Sequence, residues 1–305
     1  MSLIDLIGVP FDGYGRPGNQ ARAASALRGV GLLSSFGGRS IRLQPDITLP
    51  PQTRERAASS GLMNEPALIA MVETLHTLVR DALAAGRFPM VYGADCSVLL
   101  GVLPALRDVA GEAGLVFVDG HEDAVTMNAS PDGEVANMEI ALLLGLTGNQ
   151  APETLRKRLP ALQPKALAML GQRDGTWIRK LGVASLSDLG VMLLTPDAIA
   201  KDPAQRARDA VGHVAAHAPR WWLHIDLDVL AEEDFAAARI GPEDPALPGG
   251  LRWNELTALI SAAFRAGGCV GCSLVIYNPD RDTNGAAGRR IVQFVADVAP
   301  AIPSE

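Results

Sequence analysis

Residues 114–123 read GLVFVDGHED, an apolar run that changes abruptly into acidic residues and a histidine. A short continuous apolar run is typical of a strand that is buried on both faces, as in a parallel sheet. Open α/β sheets place their ligand sites just beyond the carboxyl ends of such strands. We therefore expect Asp119, His121 and Asp123 to follow a strand over 114–118, with all three side chains on one side of an extended chain.

These three side chains suit a divalent transition metal, because carboxylate oxygen and imidazole nitrogen are ligands for Mn, Fe, Ni and Zn. A plain polar loop after a strand would look the same, so the triplet alone leaves both interpretations open. A second apolar run, WWLHIDLD at 221–228, ends in Asp226 and Asp228. Acids two positions apart on a strand share a face, where unpaired burial costs several kcal/mol or shifts their pKa. Two acidic strand ends therefore favour one shared metal centre.

The rest of the chain alternates between strand and helix patterns. Apolar runs predict further strands over 3–9, 40–44, 88–92, 166–170, 191–194 and 270–277. Helical spacing predicts helices over 21–33, 65–85, 99–109, 138–146, 203–217, 254–266 and 288–298, with Asn64 as a cap. This alternation indicates an α/β fold with a parallel sheet and right-handed crossovers. We expect one domain over 1–305.

Composition and charge exclude several classes of protein. The 305 residues carry a net charge of -7 with no basic run, which argues against a nucleic-acid partner. No apolar run reaches the roughly 18 residues of a membrane span, and the first residues lack a secretory signal pattern. Three cysteines give no disulfide framework, and Cys269 and Cys272 are expected to be buried thiols on opposite faces of a strand. A cytoplasmic location is the expectation.

Four strand ends in this order resemble a known family. GADCS at 93–97, DGHED at 119–123, HIDLD at 224–228 and YNPDRD at 277–282 are similar to GGDHS, DAHxD, SxDxDxxDP and ExNP of the arginase, agmatinase and formiminoglutamase ureohydrolases. The opening GVPFDGYGRPG at 8–18 and GQRD at 171–174 extend the resemblance over nearly the whole chain. It implies a three-layer α/β/α fold with a central parallel sheet, a small-molecule substrate and a homo-oligomer, either trimer or hexamer.

The resemblance also implies roles for individual residues. The metal-ligand positions are Cys96, Asp119, His121, Asp123, Asp226 and Asp228. Asp119 and Asp226 would bridge a pair of Mn2+ ions, with His121 and Asp228 completing one site and Cys96 and Asp123 the other. One ion, or another divalent metal, is also compatible with these residues. Metal-bound hydroxide would attack the guanidinium carbon, with Asp123, His121 and Glu139 as catalytic residues and Asn137 and Arg173 as substrate-binding residues.

Several positions depart from the family pattern. Cys96 replaces a histidine ligand and brings a softer sulfur donor. The family segment HGMP is ANME here, so Ala136 stands in place of a proton-carrying histidine, and Glu139 is a candidate replacement carboxylate. Ile276 stands where a glutamate would pair with the guanidinium, and Ala231 replaces an acid of the DxxDP turn. These changes predict an altered substrate. A neutral or N-hydroxylated guanidine, or an amide, would depend less on the missing glutamate.

Three functions therefore remain open from the sequence. The first is a metal-dependent hydrolase of a linear C–N bond in a guanidine, hydroxyguanidine, amidine or related substrate. The alternative is a non-catalytic member of the same family that binds a ligand or partner and keeps a structural metal. A third is deacetylation at a single zinc site, since zinc deacetylases share this fold.

Overall fold

One parallel sheet of eight strands runs through residues 3–16, 18–183, 185–238 and 248–303, which the computed structural model describes. The strands are β1 Ile4–Gly8, β2 Ile41–Leu43, β3 Phe88–Tyr92, β4 Gly114–Val118, β5 Leu167–Leu170, β6 Met192–Leu194, β7 Trp221–Asp226 and β8 Cys269–Val275. Their order across the sheet is β2-β1-β3-β8-β7-β4-β5-β6, and every neighbouring pair is parallel. The predicted α/β fold is confirmed.

Helices cover both faces of the sheet, as right-handed crossovers between parallel strands require. They are α1 Ala23–Gly29, α2 Glu65–Ala84, α3 Leu99–Ala110, α4 Glu139–Leu143, α5 Glu153–Arg156, α6 Gly175–Lys180, α7 Pro196–Ala200, α8 Pro203–Ala215, α9 Trp253–Arg265 and α10 Ala286–Val298. On one face α2 packs against α3, and on the other α8, α9, α10 and α1 follow one another in contact. The result is the predicted three-layer α/β/α architecture.

The order of the strands decides where a functional site can form. The last two strands in the sequence, β7 and β8, lie between β3 and β4 at the centre of the sheet. The four strands that precede the acidic and polar motifs are therefore neighbours, and their carboxyl ends meet at one edge. Burial of β7 is nearly complete, and Trp221 and Trp222 are among the largest fully buried side chains. A rigid, dry core thus supports this edge of the sheet.

Three local expectations need correction. The predicted helix over 21–33 is interrupted, because α1 ends at Gly29 and Gly31 takes a left-handed conformation with φ 101 before a 3-10 turn at Leu32–Ser34. The predicted helix over 138–146 is shorter, at Glu139–Leu143. Asn64 precedes α2 but does not cap it with its side chain, which instead donates to Asp12 O at 3.0 Å and accepts from Thr53 N at 3.1 Å.

Membrane insertion of a helix is not supported by the fold. Among the helices of the described residues, none combines the length and the apolar character that a bilayer crossing requires.

Candidate metal centre

Cys96 is held at the end of β3 by a tight polar turn. The side chain of Asp95 accepts hydrogen bonds from Gly13 N at 2.7 Å and from Ser97 N at 3.2 Å, which fixes the 3-10 turn Cys96–Val98. Cys96 is buried, and its thiol donates to Asp226 Oδ2 at 2.9 Å and lies 3.5 Å from Asp119 Oδ2. The sulfur therefore sits among carboxylates from two other strands.

The sequence predicts an extended chain after β4, but the segment turns there. Asp119 is tied to β5 by its N–H, which donates to Leu170 O at 3.0 Å, and its Oδ1 accepts from His121 N at 2.7 Å. Asp123 takes a left-handed backbone conformation with φ 44. A turn, and not an extended chain, therefore positions the three side chains.

The end of β7 provides the other two acids, again through a turn. Asp226 is the last residue of the strand, and its Oδ1 accepts from Asp228 N at 2.6 Å. Asp228 lies in the following 3-10 turn, Leu227–Val229, so the two acids do not share a strand face as predicted. The carboxylate of Asp228 accepts from Gly120 N at 3.0 Å and contacts His121 Nδ1 at 2.9 Å. This contact joins the β4 and β7 ends.

Potential ligand atoms form three groups in the described residues, with the atoms of each group within 4.8 Å of one another: Cys96, Asp119 and His224; Cys96, Asp123 and Glu139; and Asp119, His121 and Asp228. The third group is the more accessible one, since the side chains of His121 and Asp228 are 33% and 21% exposed. The first two are fully buried. Asp226 contacts Cys96 directly and lies beside the first group. Five of the six predicted ligands thus fall in these groups, and the sixth touches one of them.

Burial and mutual repulsion raise the pKa values of most acids in this cluster. Burial raises the pKa of Asp119 to about 7 and, with repulsion from neighbouring carboxylates, raises the pKa values of Asp123 and Asp226 well above their usual range. Although burial opposes it, the ion pair with Asp228 raises the pKa of His121. The same pair, against burial, lowers the pKa of Asp228 to about 2. So many buried carboxyl groups around one imidazole fit a bound cation, which would remove the repulsion.

The two residues predicted to bind substrate already have protein partners. Arg173 donates hydrogen bonds to the carbonyl oxygens of Asp228 and Gly249, and to that of Leu230 at 3.1 Å. Asn137 donates from Nδ2 to Glu134 Oε2 at 2.9 Å, at the end of a 3-10 turn that contacts the turn of Cys96. Arg173 therefore holds the chain after β7, while Asn137 borders the cluster. Their contact with a substrate stays a prediction.

The positions that depart from the family pattern lie at the same edge. Ile276 follows β8, is buried, and has a left-handed φ of 60, and its N–H donates to Ala94 O at 3.1 Å beside the Cys96 turn. A β-branched residue rarely adopts this conformation. Ala136 is buried in the turn that contacts the Cys96 turn. Ala231 is also buried, and its N–H donates to Leu251 O at 2.9 Å, in keeping with a structural position.

His224 was not among the residues singled out from the sequence. It is fully buried in β7, stacks on Phe117 with ring centroids 5.1 Å apart, and contacts Ser273 Oγ through Nδ1 at 2.6 Å. Its Nε2 has no hydrogen-bond partner among the described residues, and burial lowers the ring's pKa to about 3. His224 precedes Asp226 by two positions, so alternation along the strand was the available signal that it faces the same side.

Comparison with known proteins finds arginases that are similar over nearly the whole chain. The sequence matches the Arginase family over residues 3–299. The arginase of Brevibacillus brevis is 28% identical over 304 residues, covering 97% of each chain. The native structure of arginase from Bacillus caldovelox aligns with a TM-score of 0.81 at 24% identity over 98% of both chains. Formimidoylglutamase from Bacillus subtilis aligns with a TM-score of 0.73 at 17% identity, over 99% of this chain and 87% of that one.

The fold and the site define a three-layer α/β/α protein that gathers acidic, imidazole and thiol groups at the carboxyl ends of its central strands. The match over 3–299 then identifies the family: the chain belongs to the Arginase family.

Proposed function

We propose that this protein is a divalent-metal-dependent hydrolase of a linear C–N bond in a guanidine, hydroxyguanidine, amidine or related small molecule. The group formed by Asp119, His121 and Asp228 supports this most, because it combines ligands suited to Mn2+ with partial exposure. It adjoins buried donors from Cys96 and Asp123, so the same edge has residues for one or two ions. A bound divalent cation lowers the pKa of a water molecule toward neutrality.

The reaction would add the water oxygen to the central carbon of the substrate. For a guanidine, the bond to the amine nitrogen then breaks, that nitrogen takes up a proton, and the products are an amine and urea. The carboxyl groups of Asp123 and Glu139 are proposed to handle the proton, since Ala136 has no group that could carry it. The contact of His121 Nδ1 with Asp228 at 2.9 Å orients the imidazole at the accessible side.

Substrate choice is proposed to differ from that of a guanidinium hydrolase. Ile276 supplies no charge at the position where the family pattern has a glutamate, and it is 3% exposed. A cation bound beside a buried apolar side chain loses water without gaining a counter-ion, which is costly. We therefore expect a neutral substrate to be preferred, with Asn137 as a polar contact.

The test is hydrolysis by the metal-loaded, full-length protein of paired substrates that differ in charge, such as an alkylguanidine, its N-hydroxylated form and a ureido or amide analogue. Release of the amine product, with the neutral compounds turned over faster, would support the proposal. A fully metal-loaded protein that hydrolyses none of these compounds would refute it and favour a non-catalytic binding protein. Release of acetate from acetylated amines would instead indicate a deacetylase.

The homo-oligomer implied by the family is also proposed for this chain. Sedimentation velocity measures it directly, and a trimer or hexamer is the expected result.

A further inference from the structure

Glu139 is a buried acid whose nearest polar neighbours are other acids and a thiol. It is the first residue of α4 and is 0% exposed, and neither of its carboxyl oxygens has a hydrogen-bond partner among the described residues. Burying such a group unpaired costs several kcal/mol, so native proteins almost always satisfy it or place an ion beside it. The carboxyl group points into the cluster, where its oxygen lies within 4.8 Å of ligand atoms of Cys96 and Asp123.

Two other buried acids near the cluster have hydrogen-bond donors within the protein. Glu134, five positions earlier and 2% exposed, accepts a hydrogen bond from Asn137 Nδ2 at 2.9 Å. Asp95, 1% exposed, accepts from backbone N–H groups of Gly13 and Ser97. The protein thus supplies donors for these two acids, whereas neither oxygen of Glu139 has a hydrogen-bond partner among the described residues. Glu139 faces a thiol and a second carboxyl group instead, which is an arrangement of cation ligands.

The donor atoms of this group differ in kind from those of the accessible group. A thiol sulfur with two carboxylates combines one soft donor with hard ones, whereas Asp119, His121 and Asp228 provide only oxygen and nitrogen. Thiolate ligands favour zinc-like cations, while Mn2+ prefers carboxylate oxygen. Binding would replace the proton of the Cys96 thiol by the cation, with the proton released to solvent, because a coordinating thiol is deprotonated.

We propose that Cys96, Asp123 and Glu139 form a thiolate-carboxylate site for a zinc-class divalent cation, Zn2+ or Co2+, beside the harder site of Asp119, His121 and Asp228. This deepens the proposed function, on which it rests for the presence of a metal centre. It assigns Glu139 as a third ligand beside Cys96, which stands in place of a histidine ligand, and Asp123. The two halves of the centre would therefore differ in metal preference.

Cobalt spectroscopy tests the sulfur ligand on the wild-type chain. The full-length protein is stripped with a chelator and titrated with Co2+, and the near-ultraviolet absorbance is followed for a thiolate-to-cobalt charge-transfer band. The band is expected in the wild type and in Cys269→Ser, whose thiol lies in β8 outside all three ligand groups. It should be absent in Cys96→Ser. Bound cobalt without this band in the wild type would overturn the proposal, whatever the variants do.

Calorimetric titration with Zn2+ tests Glu139 against a matched buried glutamate. Glu139→Gln keeps the shape but removes the charge, so we expect zinc affinity to fall at least about tenfold, given the losses seen on removing groups that only support a ligand. Glu134→Gln should bind zinc as the wild type does, since Asn137 can still donate to the new amide oxygen. Equal zinc affinity in Glu139→Gln and the wild type would refute the role of Glu139 as a ligand.

Metal competition separates this inference from the proposed function. Cys96→His should lower the ratio of Zn2+ to Mn2+ affinity, because imidazole replaces the softer thiolate. A protein that hydrolyses its substrate with Mn2+ but shows no cobalt–thiolate band would refute the mixed site and leave the hydrolase intact. A protein that shows the band and loses zinc affinity in Glu139→Gln, but has no turnover, would support the mixed site and refute the hydrolase.

Discussion

At the scale of single residues, Ile276 combines a strained backbone with a proposed role in substrate choice. A left-handed conformation costs a residue of this type of order 1–3 kcal/mol, and such strain persists only when its surroundings enforce it. Here the enforcing contact is the hydrogen bond from Ile276 N to Ala94 O at 3.1 Å, which joins the chain after β8 to the Cys96 turn. The backbone at this position is therefore held in place, and the proposal assigns the choice of substrate charge to the side chain.

Changing this side chain should change the preferred charge of the substrate. Ile276→Glu is expected to raise kcat/KM for a cationic guanidine relative to a neutral analogue by about 10–100-fold, since a buried charge-assisted hydrogen bond contributes roughly 1.5–3 kcal/mol. Steady-state kinetics with both substrates measures the ratio. Ile276→Leu, which stays apolar, is the control and should leave the ratio near that of the wild type. An unchanged ratio in Ile276→Glu would show that this residue does not face the substrate.

The burial of Glu139 and the orientation of His224 could not be predicted from the local sequence. Glu139 resembles an ordinary acid in the first turn of a helix, which is usually solvated, and only tertiary packing buries it completely. His224 lies in an apolar run whose neighbours are tryptophans, and only the stacking on Phe117 and the contact with Ser273 define its orientation. Both depend on contacts with residues distant in sequence.

At the scale of elements, the strand ends were predictable and their turns were not. Apolar runs bounded by acids gave β4 and β7 within a residue or two, because the pattern is local. The 3-10 turn after Asp226 is fixed by the Asp226 side chain and by Gly120 N, which donates to Asp228 Oδ1 at 3.0 Å, and Asp123 has a left-handed φ of 44. The Pro- and Gly-rich stretch 231–250 predicts a long loop, and its residues 239–247 lie outside the described residues.

Arg173 fixes the position of the chain after β7. Its hydrogen bonds to the carbonyl oxygens of Asp228, Leu230 and Gly249 tie the end of β5 to the chain after β7. Arg173→Met should therefore lower the free energy of unfolding by roughly 1–3 kcal/mol and weaken metal binding through Asp228. Denaturant unfolding and metal titration measure the two effects.

A matched variant makes this prediction specific. Arg179 lies in α6 and donates only within its own helix among the described contacts, to Thr176 Oγ1 at 3.2 Å, so Arg179→Met should be close to neutral. If Arg173→Met raised KM while stability and metal affinity stayed at wild-type values, Arg173 would bind substrate directly and would not position the turn.

At the scale of the whole molecule, the sheet order explains why motifs far apart in sequence form one cluster. The sequence predicted the elements and their alternation but did not specify that β8 and β7 lie between β3 and β4. That arrangement depends on which helices pack together on each face, which no local pattern encodes. The family resemblance implied that these motifs share one metal centre, but it gave no strand order.

The clustered acids should make the metal-free protein sensitive to pH. Burial raises the pKa of Asp119 from 3.8 to about 7 and raises that of Glu139 above its usual range, so the folded state binds more protons than the unfolded state between these values. Stability from these groups is present at low pH and is lost as pH rises through the folded pKa. The metal-free protein should therefore have a lower Tm at about pH 8 than at about pH 5.

Metal binding should reverse this trend, because it requires the deprotonated ligands. Differential scanning calorimetry with and without Mn2+ or Zn2+ should show a gain in Tm that grows as the pH rises. A gain that is equal or smaller at the higher pH would show that the raised pKa values of this cluster do not govern the stability of the site.

The most direct test of a metal-dependent hydrolase is turnover measured against metal content in the same samples. The protein is stripped, reloaded to increasing metal-to-chain ratios, assayed by elemental analysis, and tested for release of the amine product. We predict no turnover in the stripped protein and a rate that rises with metal content up to one ion at Asp119, His121 and Asp228 and one at Cys96, Asp123 and Glu139. Full loading without turnover of any substrate in the panel, or turnover that persists after the metal is removed, would contradict this account.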